Sequence, residues 1–357
     1  MEKSVAELKI ELLSLGMRSE GLYKGRKSGA GPAGGRFFQL KDGSCVNVPF
    51  WPEYTKKSPY SLQNEQVFFN NNSLNDIHLV PIPNFYSKMT SDNISMKKIA
   101  LLHGTDCIAS TVVQTCMYWR KNLPCQFCGI ELSLQSGDTI SVKTPQQIRE
   151  VVGMAIDENV CHHMTLTIGS LPRADKGAAI YIDIVKEIKQ YYDIPIHIQL
   201  EPPKDIKYLE DLQKNEIDTI GIHIESFDQN ILRTVCPGKM RTSLKEYEVA
   251  WKTAVRLFGE SQVDSYIILG LGETDQSIIQ GSEFLLQMGV IPYLVPFRPI
   301  SGTPMDAKPT PNSVWLIGIF TQIAQLLRHY GVDPTQNKAG CVRCGACSPL
   351  NEAFKYF

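Results

Sequence analysis

A rhythm in the chain constrains its fold more than anything else. From about residue 97 onward, short runs rich in branched apolar residues alternate with longer stretches of helical spacing, an order few architectures accept. IASTVVQT, HMTLTIG, PIHIQL, DTIGIHIE, VDSYIILG and VIPYLVPF read as six strands. Between them, TPQQIREVVGMAIDE, AAIYIDIVKEIKQYY and SLKEYEVAWKTAVRLF read as helices. Such alternation predicts a parallel sheet with right-handed crossovers. Six units are too few for a full eight-stranded barrel. The expected fold is therefore α/β, a partial (β/α)6 TIM-type barrel whose chemistry sits at the carboxyl ends of its strands.

The barrel is expected over 96–310, between an irregular N-terminal extension (1–95) and a C-terminal helix and cysteine-rich tail (311–357). The extension opens with a short helix in MEKSVAELKIELLSLGM and continues through a basic, glycine-rich loop, KGRKSGAGPAGGR. A hairpin is predicted through Asp42-Gly43, a favoured turn between the β-prone RFFQL and SCVNVPF. Gly29, Gly31 and Gly34 spell a dinucleotide-binding fingerprint, but no strand precedes them and a hairpin follows, so that reading is rejected. The surrounding Lys24, Arg26, Lys27 and Arg36 suit a solvated basic surface loop first, and a loop that covers the barrel mouth or meets an acidic partner second.

A formal net charge of -1, with 20% charged residues, provides no field to draw the chain to nucleic acid or an anionic membrane. Apolar runs such as SYIILGLG and VWLIGIF are too short to cross a bilayer. The N-terminus lacks the apolar core of a signal peptide, so a cytoplasmic location is expected. There, structural disulfides are rare, and clustered cysteines among the chain's ten point to metal binding or catalysis. Cys45, Cys107, Cys161 and Cys236 stand alone and read as small core residues. Cys236, beyond the fourth strand, is also placed where it could complete a ligand set. His163, within Cys161-His162-His163 before the second strand, reads as packing at the noncatalytic end.

Two cysteine groups stand out. After the first strand, CMYWRKNLPCQFCGIE sets Cys116, Cys125 and Cys128 in a C-x8-C-x2-C pattern. Three thiolates there are compatible with zinc, an iron–sulfur cluster or no metal. No fourth ligand follows in a zinc-ribbon register, and a three-cysteine [4Fe-4S] cluster leaves one iron open. The second group, GCVRCGACS, places Cys341, Cys344 and Cys347 two residues apart, in the manner of bacterial ferredoxins, with zinc as the alternative.

The first group resembles the radical S-adenosylmethionine (SAM) superfamily, which places three cysteines after the first barrel strand with an aromatic before the third, here Phe127. The family spacing is usually C-x3-C-x2-C, and the gap of eight departs from it. Further motifs follow in family order. TIGS, with Thr167, Gly169 and Ser170, resembles the segment at the methionine amino group. YIILGLGE, with Ile268, Gly270 and Glu273, resembles the stretch that packs on adenine. Glu201 and Glu225 close the third and fourth strands, and His223 shares the inward face of the fourth with Glu225. Arg298, in PFRPISGTP, is a candidate anchor for a carboxylate.

The resemblance implies a [4Fe-4S] cluster on Cys116, Cys125 and Cys128 that cleaves S-adenosyl-L-methionine to a 5′-deoxyadenosyl radical. The chain is most similar to a biotin synthase-like and lipoyl synthase-like branch, which includes components of two-protein lipoyl synthases and a nitrilase-associated set. That similarity implies sulfur insertion into a protein-bound octanoyl chain. Cys341, Cys344 and Cys347 would carry the auxiliary [4Fe-4S] cluster that donates the sulfur. Ser348, by analogy with a lipoyl synthase serine, is a candidate fourth ligand, and the cluster would tie the terminus back over the barrel mouth. Implied partners are a second radical SAM subunit, an octanoylated lipoyl-domain protein and an electron donor such as ferredoxin or flavodoxin. The competing readings are other radical chemistry with the tail cluster as electron relay, and a noncatalytic iron–sulfur carrier or zinc-binding module.

Overall fold

The computed structural model describes residues 3–19, 35–50 and 53–357. The basic loop with Lys24, Arg26 and Lys27, and the glycines at 29, 31 and 34, lie outside the described residues. The expected strands form within a few residues of their apolar runs: β1 (Cys107–Val113), β2 (His163–Ile168), β3 (Ile196–Gln199), β4 (Thr219–Gly221), β5 (Val263–Leu269) and β6 (Ile291–Pro296). Each pairs in parallel with the next. An antiparallel edge strand, Leu101–His103, pairs with β1 and makes a seventh strand of this open sheet. The strands read as near-continuous apolar runs because both faces are covered: Ile108, Val112, Met164, Leu166, Ile196, Ile198, Ile220, Val263, Ile267 and Leu294 are buried in one core.

The crossover helices start where the sequence marks them. Thr144 caps α2 (Pro145–Asp157) in a reciprocal box with Gln147, and Pro145 at the first helical position needs no N–H partner. Ser243 and Glu246 do the same for α5 (Leu244–Phe258). Between them, α3 (Ala178–Lys189) and α4 (Lys207–Lys214) cover the outer face, and α6 (Asp275–Leu286) and α7 (Ser313–His329) complete the ring. Trp251 of α5 is fully buried and donates its indole N–H to Ile222 O at 2.9 Å, fastening α5 to the end of β4. Among the described residues, no helix is long and apolar enough to cross a membrane.

The N-terminal helix α1 (Val5–Leu15) and the Asp42-Gly43 hairpin, strands Gly35–Gln39 and Cys45–Pro49, form as expected. They pack around a second apolar cluster that includes Leu12, Met17, Phe38, Val46 and Val48. The hairpin spans the open side of the sheet. Phe37 packs its ring 5.7 Å from that of His103 on the edge strand, while Arg298, just past β6, donates to Asn47 Oδ1 and O.

The tail departs from its expected position. It does not return over the mouth but closes the opposite, amino-terminal end of the barrel. Asn337 donates to Ser261 O, Thr219 to Ala339 O, and the Gly340 N–H to His163 Nδ1, all at strand starts. Gly340 lies so close to the buried His197 ring that a Cβ would come within 2.3 Å of it, and its φ of +90° suits glycine alone. The terminal helix α8 (Leu350–Tyr356) is then held by the fully buried pair Lys9–Glu352, 2.8 Å apart, which links the two ends of the chain.

Candidate active site

The loop after β1 explains the long cysteine gap. Cys116 precedes a single helical turn, Met117–Arg120, that absorbs the extra residues and returns the chain so that Cys116, Cys125 and Cys128 line one cavity. TIGS positions the first of them. The Met117 N–H donates to Ser170 O at 2.8 Å, and a Cβ on Gly169 would sit 2.1 Å from Thr115 O, so only glycine lets the end of β2 approach this backbone. Glu131 accepts from the Cys116 N–H at 3.1 Å, and Gln126 N–H donates to Val235 O at 2.8 Å. All three cysteines are half-buried, and their thiols are held up in pKa. Burial pushes Cys128 to about 12 and raises Cys116. Contact with the Cys236 thiol, with burial, raises Cys125.

The cavity, of about 280 Å³, runs through the barrel. Phe127, Thr167, Gly169, Ser170, Glu201, His223 and Glu225 line it, as their strand-end positions suggested. At the carboxyl ends of β3 and β4, each glutamate holds a lysine that pattern reading passed over. Glu201 pairs with Lys176 at 3.0 Å and accepts from Tyr118 Oη and Ser170 Oγ. Glu225 pairs with Lys239, whose ammonium also donates to His223 O at 2.8 Å. Burial opposes the charge on Lys239, but Glu225 together with Tyr247, Cys125 and Glu201 around it outweighs that effect and holds the amine well above the usual lysine pKa. The signal for Lys239 was present in TVCPGK, just beyond the fourth strand.

Ile268, Gly270 and Glu273 do not line the cavity. Glu273 folds back to accept from the Gly270 and Gly272 N–H groups at 2.6 and 2.8 Å, closing the turn after β5. Arg298 lies outside the lining too, bound to Asn47 beside Cys347.

Cys341 and Cys347 also line this cavity, reaching it from the barrel floor and open side. Gln199 donates to the Cys341 sulfur at 3.5 Å, and Tyr266, stacked on His223 with ring centroids 4.0 Å apart, lies against the same thiol. Cys344 is turned away, against Gly104 and the thiol of Cys107. Cys107 and Cys45 are buried, as their isolation suggested, and they are also neighbours of the tail thiols. Ser348 is fully buried, but its hydroxyl accepts from the Leu350 N–H at 3.2 Å at the start of α8.

Beneath the cavity lies a buried polar layer. His197 Nε2 is 3.7 Å from Asp264 Oδ2, and His223 Nδ1 is 3.9 Å from Asp264 Oδ1. Burial holds His197 down to about 3, so its ring is neutral at pH 7, and pushes the Asp264 carboxyl well above the usual carboxylate range.

Residues 122–285 match the family model described as the radical SAM superfamily. That match covers most of the barrel, from the loop before Cys125 to the helix after β5. Its curated relatives include the bacteriochlorophyllide c C-7(1)-hydroxylase of Chlorobaculum limnaeum, 29% identical over 140 residues, covering 39% of this chain and 35% of that protein. An uncharacterized protein of Methanocaldococcus jannaschii is 24% identical over 132 residues, 36% of this chain and 33% of that one. The chain thus matches about a third of the length of these relatives. Among solved structures, methylornithine synthase aligns at 16% identity and a TM-score of 0.47, covering 62% of this chain and 63% of that one. The hydrogenase maturase HydG from Carboxydothermus hydrogenoformans aligns at 19% and 0.46, covering 65% and 53%.

The radical SAM family implies a [4Fe-4S] cluster and SAM, and the residues suit them. Cys116, Cys125 and Cys128 line one cavity, and three thiols there suit three corners of a four-iron cluster. When bound, such a cluster supplies the electron that cleaves the sulfonium of SAM. With such a cluster and SAM bound, Cys116, Cys125 and Cys128 would hold the cluster, and Glu201, Glu225 and their lysines, which line the same cavity, would face the zwitterionic ligand.

Proposed function

We propose that this enzyme replaces a C–H bond with a C–S bond on an octanoyl chain carried by a lipoyl-domain protein, using sulfur from a second [4Fe-4S] cluster on the tail. One observation supports this reading above the rest: a single cavity is lined toward one end by Cys116, Cys125 and Cys128 and toward the other by Cys341 and Cys347. A substrate inserted between them would meet hydrogen abstraction on one side and a sulfur source on the other. Ile99, Ala100, Leu101, Ile130, Leu200 and Val295 line the cavity, an apolar wall suited to an acyl chain. In this reading the extension (1–95) and the tail (311–357) cover the barrel (96–310). A ferredoxin or flavodoxin supplies electrons, and a second radical SAM subunit completes the enzyme.

Reconstituted protein, given SAM, reductant, candidate partner subunits and an octanoylated lipoyl-domain peptide under anaerobic conditions, should yield 5′-deoxyadenosine and a thiolated peptide. No thiolation in that assay would sink the sulfur-insertion reading. Likeness to the hydroxylase supports a second reading, in which the radical is used for other chemistry and the tail cluster relays electrons. That reading predicts 5′-deoxyadenosine with a product free of new sulfur.

A further inference from the structure

The tail offers three thiols, whereas a four-iron cluster has four corners. Cys107 is the first residue of β1. Its sulfur faces the hydroxyl of Thr165, a residue that lines the cavity, so Cys107 points to the barrel interior. Its side chain is buried, with its sulfur 3.4 Å from Thr165 Oγ1 and in hydrogen-bond contact with the Cys344 thiol. Cys344 is brought there by a purpose-shaped gap. At Gly104, φ is +63° and a Cβ would stand 2.9 Å from the Cys344 sulfur. The other candidates are less well placed. The Ser348 hydroxyl is engaged at the start of α8. Cys45, also buried near Cys344, belongs to the antiparallel hairpin rather than to the barrel sheet.

We propose that Cys107 is the fourth protein ligand of the tail cluster, so that the first barrel strand and the last segment of the chain hold one metal centre between them. This rests on the reading that the tail carries a cluster. It makes that centre a four-thiolate site, unlike the three-thiolate site at the mouth.

The test uses the full chain with Cys116, Cys125 and Cys128 replaced by Ala, so that iron reports the tail alone. After anaerobic reconstitution, that protein should hold about four irons with a four-iron Mössbauer and reduced-state EPR spectrum. Adding Cys107→Ser should keep the iron and shift the EPR signal, because a serine oxygen can stand in for sulfur. Cys107→Ala should lose at least one iron and give a three-iron signal, and Cys45→Ala should change neither. Circular dichroism confirms that each variant is folded. Cys107→Ala with unaltered iron and spectrum overturns the proposal, as does cluster loss in Cys45→Ala but not in Cys107→Ala. A parent protein that binds no iron, or binds zinc, overturns it together with the sulfur-donor reading.

Discussion

The two cysteine groups have similar ligands but are built in different ways. Cys116, Cys125 and Cys128 occupy one loop at a strand end, and nearby elements set them: the turn at 117–120, TIGS and Glu131. Cys341, Cys344 and Cys347 are placed by chain-distant parts. His163 and Thr219 hold the tail at the floor, the Asn47 N–H donates to Ala346 O at 2.7 Å, and α1 reaches α8 through Lys9. A loop site can be read from spacing alone. A docked site depends on contacts hundreds of residues apart, and so can be broken from far away.

The largest effects should separate the two groups by function. Cys125→Ala should abolish 5′-deoxyadenosine formation. The triple variant Cys341→Ala, Cys344→Ala, Cys347→Ala should keep SAM cleavage and lose thiolated product. Full thiolation by the tail variant would remove the distinction between the sites.

Next in size is the remote support of the tail. Lys9→Met leaves Glu352 buried without its cation and should destabilise the protein by about 3–5 kcal/mol, measured by denaturant unfolding. Replacing both members, Lys9→Met with Glu352→Leu, should recover most of that loss. If the double variant is as unstable as the single, the pair does not act as a unit.

Smaller and more local are the two glycines. Gly169→Ala crowds Thr115 O and should weaken iron binding at the mouth, whereas Gly340→Ala crowds His197 and should weaken it at the tail. Each should cost about 1–3 kcal/mol. Iron counts in the corresponding triple-Ala backgrounds distinguish them, and equal losses at both sites from either change would contradict the separation. The smallest effect is expected from Ser348→Ala. Losing the hydroxyl at the start of α8 should cost about 1 kcal/mol without altering iron content. A lost iron in this variant would restore Ser348 as a ligand.

The barrel was legible because buried parallel strands must be apolar along their whole length, so HMTLTIG and VDSYIILG could scarcely be anything else. The same period placed Glu201, His223 and Glu225 on the cavity. Their lysines were hidden, since Lys176 lies in a loop and Lys239 opens a short 3-10 turn, where a lysine is ordinarily solvated, and only the fold shows each held against a glutamate. The tail's position was equally hidden. GCVRCGACS carries no trace of Gly340 meeting His163, nor of Cys107 and Cys45 lying beside Cys344. Arg298 read as a ligand anchor from its charge, but in the fold it holds the hairpin through Asn47.

The central claim is that one chain carries two four-iron sites facing a common cavity, and iron and sulfide counting on anaerobically reconstituted protein tests it most directly. The account predicts about eight irons and eight sulfides per chain, falling to about four when either cysteine group is replaced by alanine. About four irons in the unaltered protein, unchanged by loss of Cys341, Cys344 and Cys347, would contradict it.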